Sequence, residues 1–77
     1  MQQPHKTFSH CRKQIGQNLR EIRLSKSLTI EAFADKTGSS VEGLARLEQG
    51  KEMAELSRLF AFAQVLEVPL ARFFKQT

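Results

Sequence analysis

The 77-residue chain contains little of what marks disulfide-stabilised, membrane or disordered proteins. Cys11 is its only cysteine, so no intrachain disulfide can form, and we expect a reducing compartment. The longest apolar run, residues 59–63, is much shorter than the roughly 18 residues of a membrane span, and the N-terminus lacks the apolar region of a signal peptide. Two prolines and four glycines are too few for a disordered chain. The sequence therefore predicts a folded cytoplasmic protein with no membrane partner.

The sequence also lacks the residue groupings of common catalytic and cofactor sites. His5, His10 and the scattered carboxylates do not supply a nucleophile, a base and an orienting group, and no glycine-rich loop is available to hold a phosphate. The two histidines and Cys11 are three potential metal ligands, but their spacing matches no structural zinc site. We predict a protein that is not an enzyme and uses no metal, no cofactor and no small-molecule substrate. At this length one domain fits, so a separate effector domain is not expected.

Positive charge is concentrated at the beginning of the sequence. The net charge is +4, and residues 1–14 carry Lys6, Arg12 and Lys13 without any acidic residue. Residues 39–53, by contrast, carry more glutamates than basic residues. A basic protein attracts polyanions such as nucleic acid. If DNA is the partner, most of the electrostatic attraction is expected from the front of the chain.

Apolar spacing predicts short helices that follow one another closely. Residues 1–6 are polar, contain Pro4 and show no helical spacing, which predicts a flexible arm over residues 1–8. A first helix begins at Thr7 or Ser9 and ends near residues 25–27. Apolar residues then recur at intervals of three or four. The expected inward-facing residues are Ile15, Leu19 and Ile22 in helix 1, Phe33 and Ala34 in helix 2, Leu44 and Leu47 in helix 3, and Leu56, Leu59, Phe62, Ala63 and Leu66 in helix 4. A short helix 5 starts at Pro69 and contains Leu70, Phe73 and Phe74.

Residues 28–50 have the signals of two short helices joined by a sharp turn. Thr29 suits the N-cap of the first helix, and Gly38 suits its end because glycine adopts the left-handed conformation without strain. Ser39 or Ser40 caps the second helix; if Ser39 is the cap, Glu42 completes a capping box by reaching back to the cap N–H. The segment is a predicted helix-turn-helix, whose second helix commonly enters the DNA major groove.

In the order and spacing of these residues the chain resembles the lambda-repressor-like helix-turn-helix family, the Cro and phage-repressor type. The similarity runs without gaps from Ile15 to Phe74, and its most specific parts are residues 15–16, 19–23, 28–29, 33–34, 38, 44, 47–51, 66–68, 70 and 73–74. The resemblance implies an all-α, compact five-helix domain over residues 9–77. It also implies a sequence-specific transcriptional regulator, a repressor or controller that binds a pseudo-palindromic operator in double-stranded DNA as a homodimer.

The resemblance assigns roles to residues by their position in the motif. Base contacts are expected from Ser40, Val41, Glu42 and Arg46. Phosphate contacts are expected from Thr29, Ile30, Ser39, Gln49 and Lys51, to which the basic N-terminal segment adds Arg12 and Lys13. The dimer interface is expected at Leu70, Phe73 and Phe74.

Both helices of the helix-turn-helix depart from the family pattern. Family members commonly have glutamine where this chain has Ile30, and hydrogen-bonding residues where it has Val41, Glu42 and Gly43. Valine can only touch a thymine methyl, and glutamate can only accept from cytosine N4. A glycine inside a helix costs about 1 kcal/mol relative to alanine, which we expect a close approach to DNA or to helix 2 to offset.

Two charged residues have competing interpretations. Arg46 either meets a guanine or a phosphate, or pairs with Glu42 one turn earlier. Glu48 is expected to be structural, holding the turn around Gly50 or an arginine such as Arg20. Because Ile30, Val41 and Glu42 make an unusual reading surface, the alternative function is a protein-interaction module built on a degenerate helix-turn-helix.

Overall fold

A computed structural model describes the backbone of residues 4–76 and the side chains of residues 11–76. Within these residues the chain forms four α-helices, α1 (Pro4–Ser25), α2 (Ile30–Thr37), α3 (Val41–Glu48) and α4 (Leu56–Leu66), followed by a 3-10 helix (Leu70–Phe74). The all-α prediction is confirmed for this part of the chain. The prediction of five α-helices is wrong, because the last element is a 3-10 helix of five residues. No helix among the described residues is both long and apolar enough to cross a membrane.

Helix α1 begins earlier than the sequence analysis predicts. Its first helical residue is Pro4 rather than Thr7 or Ser9. Proline is compatible with this position because the first N–H groups of a helix have no intrahelical partner, so its missing N–H costs nothing. The predicted arm over residues 1–8 is therefore helical from Pro4 onward, while residues 1–3 and 77 lie outside the described residues. The predicted end of the helix is confirmed at Ser25.

One apolar core joins all five elements. Phe33 of α2 and Phe62 of α4 are at its centre, with ring centroids 5.3 Å apart in a tilted arrangement. The prediction that Leu56 belongs to this core is wrong, since its side chain is 57% exposed at the first turn of α4. The buried apolar residues are Ile15, Leu19, Ile22, Phe33, Ala34, Leu44, Leu47, Ala54, Leu59, Phe62, Ala63, Leu66 and Phe73.

Helix α1 crosses the end of α3 at close range. A Cβ atom on Gly16 would overlap the carbonyl oxygen of Leu47 and lie 2.9 Å from that of Glu48. These are backbone atoms at the end of a helix, so they cannot move aside without shifting α3. Glycine at this position therefore allows α1 to pack closely against the end of α3.

Asn18 connects α1 to the C-terminal segment. Its side chain is buried, and Nδ2 donates to the carbonyl oxygens of Phe73 at 2.8 Å and Lys75 at 2.7 Å. Its Oδ1 accepts from Gln14 Nε2 at 3.1 Å. Because a buried amide without partners is costly, these bonds hold the end of the 3-10 helix against α1.

Candidate nucleic-acid interface

The start of α2 is built by a local cap. Thr29 has extended backbone angles, and its hydroxyl accepts a hydrogen bond from Ala32 N–H at 3.1 Å, as the sequence predicts. The next residue, Ile30, is half-buried and packs against the core. Ile30 thus contributes to packing at a position where the family pattern has a polar residue.

The turn between α2 and α3 is closed by backbone and side-chain hydrogen bonds. Gly38 has φ +65°, and the N–H of Ser39 donates to the carbonyl of Ala34 at 2.9 Å. The Ser39 hydroxyl lies 3.0 Å from that of Thr37 and accepts a hydrogen bond from Arg58 Nη2 at 3.2 Å. Ser39 is therefore not the cap of α3, and the capping box with Glu42 is absent.

Ser40 caps α3 instead, and its cap hydrogen bond is made with the glycine of the reading helix. The Ser40 hydroxyl accepts from the N–H of Gly43 at 3.0 Å. A Cβ on Gly43 would lie 2.9 Å from that hydroxyl oxygen. No atom of helix 2 lies within 4 Å of this position, so the expected close approach to helix 2 is not observed. The expected approach to DNA stays a prediction.

Helix α3 has one buried and one exposed side. Leu44 and Leu47 are buried in the core, as predicted. Val41, Glu42 and Arg46 are exposed, and Val41 retains 37% of its surface. The predicted base-contacting residues of α3 are thus all accessible from solvent. Because these side chains lie within about one and a half turns of α3, a partner that receives this helix in a groove can contact all of them.

Arg46 has an ion-pair partner, but it is not Glu42. Its Nε donates to Glu52 Oε2 at 2.7 Å, with both side chains about half exposed. The interpretation that Arg46 pairs with Glu42 is therefore wrong. An exposed ion pair contributes about 0–1 kcal/mol, so it leaves Arg46 available to a stronger acceptor.

The end of α3 is packed against α1. Gly50 has φ +77°, and a Cβ there would lie 2.8 Å from Lys13 Cα. The N–H of Lys51 closes the turn by donating to the carbonyl of Arg46 at 2.9 Å. Gln49 and Lys51 are exposed on this turn. The structure therefore brings Lys13 next to two residues that the sequence analysis assigned to phosphate contacts.

Arg12 does not extend from a flexible arm. It is half-buried in α1 and lines a small cavity together with Glu52, Met53 and Ala54. Its Nε is buried and makes no hydrogen bond to any part of the chain that the structure describes. The side chain thus packs under the turn that follows α3, in contrast to the exposed Lys13.

A buried ion pair fixes the relative positions of α1, α2 and α3. Arg23 donates from Nε and Nη2 to the two carboxylate oxygens of Glu48, at 2.7 and 2.9 Å, and from Nη1 to the carbonyl of Leu28 at 2.7 Å. Both side chains are nearly inaccessible. The hydrogen bond with Glu48 raises the pKa of the Arg23 guanidinium, although desolvation acts in the opposite direction. Glu48 is structural, as predicted, but its partner is Arg23 rather than Arg20.

Sequence reasoning missed two arginines beside the predicted site. Arg20 lines a shallow groove with Ile30, Ala45 and Gln49, between the start of α2 and the end of α3. Arg58 lies with its guanidinium 5.3 Å from the ring centroid of Phe62 while it donates to Ser39. For Arg20 a signal was available, because it precedes Arg23 by three residues on one face of α1. No local pattern links Arg58 to the turn before α3.

The residues predicted for dimerisation differ in accessibility. Phe73 is fully buried within its own protomer, so its side chain cannot touch a partner, which corrects that part of the prediction. Leu70 is half-buried against the core, and Phe74 is 47% exposed near Cys11 and Gln14. Phe74 is thus the accessible member of the three.

Comparison with known proteins identifies the family. Residues 19–73 match the model of a helix-turn-helix family, HTH_3, and the chain belongs to this family. It is 32% identical over 69 residues to an uncharacterized transcriptional regulator in the ATPase CF(0) region of Rhodospirillum rubrum, covering 90% of this chain and 64% of that protein.

Solved structures of the same fold include regulators of different length. An HTH_3 family transcriptional regulator from Vibrio cholerae superposes with a TM-score of 0.81 at 30% identity, over 87% of this chain and 38% of that one. The restriction-modification controller protein C.AhdI from Aeromonas hydrophila superposes with a TM-score of 0.76 at 27% identity, over 80% of this chain and 94% of that one. The chain thus spans less than two thirds of the Rhodospirillum and Vibrio proteins.

Proposed function

We propose that this protein is a sequence-specific, DNA-binding transcriptional regulator in which α3 reads the major groove. The observation that carries the proposal is the two-sided α3, with Leu44 and Leu47 buried and Val41, Glu42 and Arg46 exposed beside one another. The relatives described as transcriptional regulators support the same function. In this proposal the buried Arg23–Glu48 pair holds α3 at the angle required to enter the groove.

Within α3, Arg46 carries most of the base recognition. Its guanidinium can form a bidentate contact with guanine O6 and N7, which contributes about 1–3 kcal/mol of discrimination. Val41 can contact a thymine methyl group and Glu42 can accept from cytosine N4. Glu42 is accessible for this contact because Ser40 caps the start of α3 and no capping box engages the Glu42 side chain.

Phosphate contacts surround this reading surface. Lys13 and Lys51 lie at the turn after α3, Arg20 lies at the groove beside Gln49, and Arg58 lies at the turn before α3. Each lysine or arginine that neutralises a phosphate releases counterions, so affinity falls steeply with salt. The charge that the sequence analysis expected mainly from the N-terminal segment is thus supplemented by arginines of α1 and α4.

A homodimer would place two copies of α3 on successive turns of the duplex. Phe74, together with Leu70, is the surface we propose for the contact between protomers. Two-fold symmetry then requires half-sites about 34–36 Å apart and a pseudo-palindromic operator. The similarity to a restriction-modification controller protein supports a small regulator of this kind.

Selection of bound duplexes from a randomised pool at low salt tests the proposal, followed by a salt titration of the selected sequence. Arg46→Ala should weaken binding to that sequence about tenfold or more while hardly changing thermal stability, because its ion pair is exposed. Arg72→Ala, which removes an arginine from the 3-10 helix, is the matched control. Equal losses on all duplexes would limit Arg46 to phosphate. No selected sequence, or a flat salt response, would refute DNA reading and favour a protein partner.

A further inference from the structure

Glu52 is an acidic residue beside the surface that we propose to face DNA, whose phosphates repel carboxylates. It follows the turn at the end of α3, and its carboxylate accepts a hydrogen bond from Arg46 Nε at 2.7 Å. Both side chains are about half exposed, so neither is held by burial. Their proximity is instead set by the backbone, because Lys51 N–H is bonded to the Arg46 carbonyl at 2.9 Å. This places residue 52 one position beyond a fixed contact with residue 46.

We propose that Glu52 is a positioning residue that orients Arg46 for guanine recognition. The inference rests on the proposed function and concerns the specificity of the same site. The Glu52 carboxylate occupies Nε–H, on one edge of the guanidinium. The guanidinium has five N–H donors in a fixed fork, so Nη1 and Nη2 remain for the two acceptors of guanine. Glu52 and guanine can therefore bind different edges of the same planar group.

Orientation in the free protein lowers the cost of recognition. A free arginine side chain loses rotamer entropy when it is fixed on a base, and a carboxylate that already restricts it removes part of this loss. The advantage is obtained only where a guanine meets the guanidinium. At any other sequence the Glu52 charge still repels phosphates, so the same residue weakens general DNA binding. Glu52 thus lowers the affinity for DNA in general and increases the preference for duplexes with guanine at this position.

Two substitutions at this position separate orientation from charge. Glu52→Ala removes both the charge and the acceptor, whereas Glu52→Gln removes the charge and keeps an oxygen that can accept from Nε. Both should raise affinity for a random duplex to a similar extent. The ratio of affinities for the selected duplex and for one with the guanine replaced should fall about fivefold in Glu52→Ala and stay near the wild-type value in Glu52→Gln.

Two comparisons complete the test. In an Arg46→Ala background, adding Glu52→Ala should change both affinities equally, because the group that Glu52 orients is absent. Glu55→Ala is the matched control, since Glu55 is a nearby exposed carboxylate without a side-chain cap hydrogen bond. It should leave the affinity ratio unchanged.

An unchanged affinity ratio in Glu52→Ala, or an equal loss of discrimination in Glu52→Gln, would overturn the inference. The first result would show that Glu52 acts on DNA only as a repulsive charge. The second would show that discrimination depends on the charge of Glu52 and not on the orientation of Arg46. A wild-type protein that prefers no duplex would refute the proposed function, and this inference with it, before any Glu52 variant is measured.

Discussion

The buried pair between Arg23 and Glu48 allows a quantitative test of the fold that supports the reading helix. In Glu48→Gln the volume is nearly unchanged, so no cavity forms. One of the two carboxylate oxygens is replaced by an NH2 group, which faces the N–H donors of Arg23 instead of accepting from them. The arginine then keeps its charge in a nearly inaccessible position, with the Leu28 carbonyl and the one remaining side-chain oxygen at position 48 as neutral acceptors.

The expected loss is large relative to the whole stability of the domain. Breaking a buried ion pair by removing one partner costs about 3–5 kcal/mol. A protein of this length has a total free energy of unfolding of about 4–12 kcal/mol. Since one oxygen of the substituted side chain still accepts, we expect the free energy of unfolding to fall by about 3 kcal/mol. This loss corresponds to a fall in Tm of about 12–24 °C.

Urea denaturation followed by circular dichroism measures this loss. Glu52→Gln is the matched control, because it makes the same substitution in an exposed arginine pair and should cost less than about 1 kcal/mol. Combining Glu48→Leu with Arg23→Met should recover more than half of the loss, since an apolar pair has no charge to desolvate. About 1 kcal/mol should remain, because the Leu28 carbonyl loses its donor.

Equal destabilisation by Glu48→Gln and Glu52→Gln would refute this reasoning, because burial would then have no effect on the strength of the pair. If Glu48→Gln is unfolded in buffer, its midpoint can be measured in a stabilising osmolyte alongside the wild type. A double variant less stable than Glu48→Gln would equally contradict the desolvation argument.

Further predictions concern the DNA surface and the dimer. Arg58→Ala should weaken binding to all duplexes alike and make the negative slope of log K against log salt shallower by about 0.9. Arg72→Ala, in the groove between α1 and the 3-10 helix, should leave this slope unchanged. A lower melting temperature with an unchanged slope would show that Arg58 only braces the turn at Ser39. Phe74→Ala should shift sedimentation toward monomer, with Phe60→Ala, an equally exposed phenylalanine of α4, as the control. A wild-type chain that is monomeric at high micromolar concentration would rule out this interface, and a shift in Phe60→Ala alone would move it to α4.

Local signals predicted the helix-turn-helix well. Thr29 as a cap and Gly38 as a left-handed helix end are confirmed, because both depend on backbone groups within four residues. The choice between Ser39 and Ser40 could not be made locally. In the fold Ser40 is the cap, and the hydroxyl of Ser39 accepts from Arg58, which approaches from α4.

Apolar spacing predicted most of the core but not the burial of every apolar residue. The spacing of Leu56 matches the inward face of α4, but this residue lies at the first turn, where no neighbouring element covers it. Phe73 and Phe74 are equivalent in the sequence, yet one is fully buried and the other is half exposed. Only the docking of the 3-10 helix on α1, through Asn18, distinguishes them.

The sequence by itself therefore determined where α2 begins and ends, where α3 ends, the family to which the chain belongs and most of the apolar core. These features depend on neighbouring residues and on helical periodicity. Only the tertiary structure decided the partners of two arginines: Arg23 meets Glu48, and Arg58 meets the hydroxyl of Ser39. Side chains far apart in sequence become partners through the angles at which helices cross, and those angles follow from packing contacts such as Gly16 against the end of α3.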